Sequence, residues 1–233
     1  MKDAEPPTRD KLARWAERTG TWLSEEALTW LLLILALDMF VLPVLGPGVG
    51  ELAVNAVFTV LLFTGLATLA NRRVAFVVMG ILALVAVILK WIAHVPGMPG
   101  TPVAAAVAAV AVFGLFTLLV LLRALSPGPI TRRRIEGAIA GYLLIAVTFA
   151  LAYELIELMY PGSLQFNEGP PEVMAQTVGY FSMVTLTTVG YGDVTPVAPL
   201  ARRLAMLEGV IGQLYPAILI GWMVSSLRPR RSE

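Results

Sequence analysis

The chain has 233 residues, 58% of them hydrophobic and 14% charged, with a formal net charge of +1. That balance excludes an ordinary soluble domain and a polyanion binder, so no nucleic-acid partner is expected and the lipid bilayer is the implied environment. Cysteine is absent, which excludes disulfides and thiolate metal sites. The fold class expected is an all-α membrane protein.

The first 26 residues are polar and lack the short apolar core and small-residue cleavage site of a signal peptide, so the first apolar span is expected to be an uncleaved helix. Within them Leu12, Trp15, Trp22 and Leu23 alternate with Arg14, Glu17 and Arg18. That pattern predicts an amphipathic helix on the inner leaflet, with tryptophans at headgroup level. Six stretches follow that are long enough to cross a hydrocarbon core, which needs roughly 20 apolar residues in a helix. They are predicted over 27–45, 52–70, 74–92, 103–122, 137–160 and 199–227. Turn-forming Gly46-Pro47-Gly48, Asn71-Arg72-Arg73 and Pro96-Gly97-Met98-Pro99-Gly100 separate the first four. The resulting organisation is a cytoplasmic segment 1–26, a four-helix domain 27–122, a linker 123–135, a second membrane module 136–227 and a tail 228–233.

Orientation follows from the basic residues. Of the 17 Lys and Arg, all but Lys90, Arg202 and Arg203 fall on the N-terminal tail, the second-to-third connection, the fourth-to-fifth connection or the C-terminal tail. Both termini are therefore expected in the cytoplasm of a multi-pass cell-membrane protein. The connection between the fifth and sixth spans, without Lys or Arg from Pro161 to Leu200, is expected outside. Pro170-Pro171-Glu172 suits a helix start, with proline in the first turn and an acid at the positive dipole end. A short helix from Glu172 to about Thr185 is predicted to dip into the membrane and end at the run Thr187-Thr188-Val189-Gly190-Tyr191-Gly192-Asp193. Irregular backbone at that depth is tolerated only where protein buries it or it lines a water-filled path.

Gly190 and Gly192 are spaced to let the backbone alternate between ordinary and left-handed conformations, which aims successive carbonyls at one line. The carbonyls of Thr188, Val189, Gly190 and Tyr191, with the Thr188 hydroxyl, would then replace a cation's hydration shell if four chains met at one axis. Val189 and Tyr191 would point away into packing, and Asp193 would stand at the mouth. Residue by residue from Thr188 to Asp193, the segment resembles the signature of the tetrameric potassium channels. The resemblance implies a homotetramer that conducts K+ passively. It implies K+ bound at Thr188, Val189, Gly190 and Tyr191, with Gly192 completing the filter, and neither an organic cofactor nor an enzyme activity. It is strong over the short helix, the filter and the sixth span; for the first four helices it rests on their number.

Several residues around the filter acquire expected roles. Thr187, Tyr180 and Phe181 are expected to support it, the two aromatics by packing. Val184 stands where some bacterial relatives carry an acid that contacts the filter's aspartate. Glu208 is expected to reach pore-helix hydroxyls such as Ser182 or Thr185, either bracing the filter or making a simple structural hydrogen bond; an acid at that depth needs one. Arg202 is expected to pair with Asp193; Glu154 and Glu157 are further partners for Arg202 and Arg203, whose alternative is snorkelling to headgroups. Gly212 and Pro216 are expected to form a hinge or kink, the alternative being close helix packing at small residues.

The fourth span carries no basic residue until Arg123, so it lacks the charge that senses voltage. Ser126-Pro127-Gly128-Pro129 would also interrupt a coupling helix, and voltage gating is not expected. Asp38 either pairs with a polar neighbour or faces a water-filled crevice, Lys90 and His94 are expected to snorkel, and a single histidine per chain builds no metal cluster. The alternatives to a potassium-selective channel are a weakly selective or voltage-modulated cation channel and a non-conducting scaffold or regulatory subunit.

Overall fold

The computed structural model describes residues 27–45, 50–68, 73–93, 100–126, 131–167, 169 and 171–226. The amphipathic segment 1–26, His94, the Pro127–Pro129 break and the basic tail lie outside the described residues. So do Pro170 and the turn residues 46–48, 71–72 and 96–99. Seven helices make up most of what is described: α1 (Ala27–Phe40), α2 (Gly50–Thr68), α3 (Arg73–Ile92), α4 (Thr101–Ala124), α5 (Arg132–Met159), α6 (Met174–Leu186) and α7 (Pro199–Ser226). A two-stranded antiparallel sheet of β1 (Leu164–Phe166) and β2 (Val194–Pro196) joins α5 to the base of α7, in register Leu164↔Pro196.

Three helices, α4, α5 and α7 (Pro199–Val224), are long and apolar enough to cross a membrane. The apolar parts of the other three candidates are shorter among the described residues: Ala27–Phe40, Asn55–Ala67 and Phe76–Ile92. In the first, the α-helix stops at Phe40, short of the expected 45, and a 3-10 turn over Leu42–Leu45 takes over. Pro43 within that turn has no N–H to continue the ladder.

α5 is the central element. Its first half joins α1, α2, α3 and α4 in one core, with Leu31, Leu35, Phe113, Phe116 and Leu144 fully enclosed. The alanine run of α4 buries Ala105, Ala106 and Ala109, whose small side chains let neighbouring backbones approach closely. Thr117 of α4 links to α5 through the Thr148 hydroxyl at 2.9 Å and the Leu144 carbonyl at 3.3 Å. The second half of α5 forms a separate core with β1, α6, β2 and the start of α7: Tyr153, Ile156, Leu164, Val178, Phe181, Val194 and Ala201. At the opposite end, the Arg134 guanidinium stacks over Trp222 of α7 at 4.7 Å, joining the start of α5 to the end of α7.

Large apolar side chains remain exposed on the outer faces of α1 and α3, among them Trp30, Leu33, Val77, Ile81 and Leu84, and along α7. Met206, Leu207, Val210, Leu214, Ile218, Ile220 and Val224 are all exposed in the isolated subunit. So large a continuous apolar face requires lipid or another protein surface against it.

Candidate functional site

α6 begins at Met174, two residues later than expected, and Val173 precedes it without a side-chain cap. Glu172 therefore lies outside the first helical turn, where a carboxylate would complement the dipole. At the other end, orphan carbonyls of the last turn are taken up by the following loop. Thr188 N–H donates to the Thr185 carbonyl at 3.0 Å, and the Val189 and Gly190 N–H groups donate to the Val184 carbonyl at 3.0 and 3.3 Å. The Thr187 hydroxyl closes on the Met183 carbonyl at 2.7 Å. Val184 thus holds the loop through its backbone, although its side chain offers no acid.

Beyond this anchor the chain takes positive φ at every second residue: Thr188 at 61°, Gly190 at 57° and Gly192 at 81°. The glycines accept this hand freely. Thr188 is the only described non-glycine residue that does so, at a cost on the order of 1–2 kcal/mol, in the loop where an aligned row of carbonyls is expected. Val189 and Tyr191 are 52% and 72% exposed in the isolated subunit.

The outer end of the loop is held by three groups. Asn167, next to β1, donates its side-chain amide to the Gly192 carbonyl at 3.1 Å and its backbone N–H to the Asp193 carbonyl at 3.0 Å. The Tyr180 hydroxyl donates to Asp193 Oδ2 at 2.7 Å, and the Tyr180 ring lies parallel to Tyr191 with centroids 6.5 Å apart. That hydroxyl, joined by the backbone N–H groups of Asp193 and Val194, holds the Asp193 carboxyl below the usual carboxylate range. Tyr180 therefore does more than pack.

The expected Arg202–Asp193 pair is corrected: among the described residues of one subunit these two form no ion pair. Arg202 Nε instead donates to the Pro196 carbonyl at 3.1 Å. The start of α7 directs this side chain onto β2, while Tyr180 occupies Asp193. Glu154 and Glu157 are also committed elsewhere. Glu154 pairs with Lys90 at 3.3 Å, so Lys90 joins α3 to α5 rather than snorkelling alone. Glu157 accepts the backbone N–H groups of Gly162 at 2.7 Å and Leu164 at 2.9 Å, capping the turn that leads into β1.

Behind α6, Glu208 of α7 is fully buried. Its Oε1 contacts the Ser182 hydroxyl and its Oε2 accepts the Tyr153 hydroxyl at 2.7 Å; Ser182 also reaches the Ala146 carbonyl at 2.7 Å. The partners are Ser182 and Tyr153, not Thr185. Tyr153 in turn meets Phe181 edge-on at 4.8 Å. One polar cluster thereby ties α5, α6 and α7 together.

Gly212 lies against the end of α6. A Cβ there would stand 1.7 Å from the Leu186 carbonyl oxygen and 2.7 Å from its carbon. The same oxygen accepts the Tyr142 hydroxyl at 3.3 Å. Pro216 lies inside α7, which runs through it from Pro199 to Ser226. The neighbouring Tyr215 hydroxyl donates to the Ala138 carbonyl at 2.7 Å.

Sequence reasoning missed Tyr153 and Asn167, and the hydroxyl of Tyr180. The signal available was chemical: a tyrosine in an apolar helix carries a hydroxyl that needs a partner when buried.

A short helix enclosed by two long ones, followed by a loop of alternating hand and a long exposed apolar helix, defines an all-α membrane channel. A family model described as "Ion channel" matches residues 141–228, the segment that contains this arrangement. Similar curated proteins include "Two pore potassium channel c" of Oryza sativa subsp. japonica, 38% identical over 84 residues covering 36% of this chain and 17% of the relative. "Protein LctB" of Bacillus caldotenax is 31% identical over 85 residues, covering 34% of this chain and 61% of the relative. "Inward rectifier potassium channel Kirbac3.1" of Paramagnetospirillum magnetotacticum is 37% identical over 81 residues, covering 33% and 24%. The chain thus spans between 17% and 61% of these relatives' lengths. Residues 141–228 are thus similar to the ion-channel family model, and two of these relatives are potassium channels by name. No solved structure matches it significantly.

Proposed function

We propose that the chain is one subunit of a homotetrameric potassium-selective channel of the cell membrane, with six crossings, both termini in the cytoplasm and no voltage sensor. The observation that carries this is the left-handed backbone at Thr188, Gly190 and Gly192 within Thr-Val-Gly-Tyr-Gly-Asp. Such alternation turns consecutive carbonyls to one side, where four chains around an axis would coordinate a dehydrated K+ at Thr188, Val189, Gly190 and Tyr191.

One chain supplies only a quarter of each ring. The exposure of Val189, Tyr191 and the apolar face of α7 supports an assembly in which neighbouring subunits and lipid cover them. The bracing roles go to Thr187, Tyr180, Phe181, Asp193 and Glu208. Arg202 acts by holding the β2 carbonyl at Pro196. Gly212 and Pro216 mark where the inner helix meets the filter's support and bends. The absence of any basic residue in α4 before Arg123 argues against gating charge.

The test is ion flux into proteoliposomes of the full chain. Potassium uptake that barium blocks and sodium does not replace supports the proposal. Equal sodium uptake indicates a weakly selective pore, and the absence of any uptake indicates a non-conducting membrane scaffold.

A further inference from the structure

A cavity of about 340 Å³ lies between α1, α2, α4, α5 and the outer side of α6, away from the loop that carries the filter sequence. Its volume falls in the range of small-molecule sites. Its walls are mainly apolar, including Phe58, Phe113, Ala150 and Met183, and two carboxylates, Asp38 and Glu154, interrupt them. Glu154 is neutralised by Lys90 at 3.3 Å. Asp38 is not: among the described residues it has no hydrogen-bond or ion-pair partner. It also sits in the last turn of α1, where the helix dipole disfavours negative charge. No Lys or Arg lines the cavity. An apolar chamber with one uncompensated carboxylate is complementary to a molecule with an apolar body and a single cationic head.

We propose that this cavity binds a small lipophilic ammonium ion, its N–H donors on the Asp38 carboxylate and its apolar body against Phe58, Phe113 and Met183. The cavity also touches Gly179, Tyr180 and Val184 of α6. Tyr180 holds Asp193, and the Val184 carbonyl holds Val189 and Gly190. An occupant therefore presses on the helix that fixes the filter loop, and its presence alters ion flux. That consequence rests on the channel proposal; the binding itself does not.

The test is equilibrium dialysis of the full chain in phosphatidylcholine nanodiscs, in excess K+, with labelled 1-adamantylammonium and its uncharged counterpart 1-adamantanol. The cation binds saturably and about tenfold more tightly than the alcohol, the factor a charge-assisted hydrogen bond commands. Asp38→Asn abolishes that preference while 1-adamantanol binding persists, which shows the cavity intact. Ala150→Phe fills the chamber and removes binding of both. Equal affinities, a preference that survives Asp38→Asn, or no saturable binding of either compound overturns the proposal. Displacement of the cation by phosphatidylethanolamine in the disc identifies a lipid amine as the occupant; its failure to displace identifies a free amine. Because dialysis reads occupancy without ion flow, a non-conducting chain that still discriminates the two probes overturns the channel proposal alone.

Discussion

Replacing Gly212 by alanine separates a steric role from a flexible one. The added Cβ would lie 1.7 Å from the Leu186 carbonyl oxygen, 2.7 Å from its carbon and 3.0 Å from its Cα. Carbon and oxygen ordinarily approach no closer than about 3.3 Å, so α7 must retreat from the end of α6 by roughly 1.5 Å. The obstacle is backbone at the base of the filter loop and has no rotamer to change. Overpacking of this kind costs about 1–3 kcal/mol. If the Leu186 carbonyl yields instead, it loses its bond from Tyr142 at 3.3 Å, a loss of about 1 kcal/mol.

Gly209, one turn earlier, is the internal control. A Cβ there meets nothing within 4 Å in the subunit, and alanine gains up to about 1 kcal/mol of helix propensity over glycine. Thermal unfolding of the purified variants in detergent, followed by circular dichroism, therefore gives a lower midpoint for Gly212→Ala and an equal or higher one for Gly209→Ala. Flux through Gly212→Ala falls with its stability. If Gly212→Ala melts with the wild type and conducts as it does, the close approach of α7 to Leu186 is not what glycine provides. An unchanged melting point with altered open probability would instead support a hinge at Gly212.

Three further substitutions probe the Tyr180 bond to the loop, the Glu208 cluster and the α3–α5 ion pair. Tyr180→Phe removes the donor to Asp193, so the depressed carboxyl pKa rises toward its ordinary value of about 3.9. In the wild type the stabilisation is complete above that value and is lost only as pH falls through the lowered one. A carbon-13 titration of the Asp193 carboxyl therefore shows a higher midpoint in the variant, and an unchanged midpoint refutes the bond. Tyr153→Phe leaves one Glu208 oxygen without its buried donor and lowers unfolding stability by about 1–3 kcal/mol; a double-mutant cycle with Ser182→Ala shows coupling, because both hydroxyls meet the same carboxyl group. Lys90→Met leaves Glu154 without its donor in a partly buried position and destabilises the α3–α5 contact by about 1–3 kcal/mol, read as a lower denaturation midpoint that Lys90→Arg largely restores.

Much of this protein was legible as sequence because the relevant physics is local. Apolar length announces a span whatever it packs against, and α4, α5 and α7 appear where hydrophobicity placed them. The left-handed turns at Gly190 and Gly192 were readable because glycine alone adopts them without a Cβ penalty. The absence of charge in α4 is likewise a property of composition. Partner choice was not local. Arg202 and Asp193 have opposite charges and suitable spacing, yet β2 receives one and Tyr180 the other. The start of α6 shifted to Met174 although proline and acid marked an earlier one, since those residues signal a boundary only to within a turn.

What the sequence by itself determined is a membrane-embedded helical chain with one loop built for alternating backbone hand, because burial in lipid and glycine conformation depend on residue type alone. Tertiary structure decided what holds that loop. Asn167 on Gly192, Tyr180 on Asp193, the Val184 carbonyl under Val189 and Gly190, and the Glu208 cluster behind Ser182 join residues up to 55 positions apart. It also decided that Gly212 faces backbone and Asp38 a cavity. Those outcomes depend on which helix faces meet when α5 packs against α4 on one side and α6 on the other, and no pattern within a single helix specifies that.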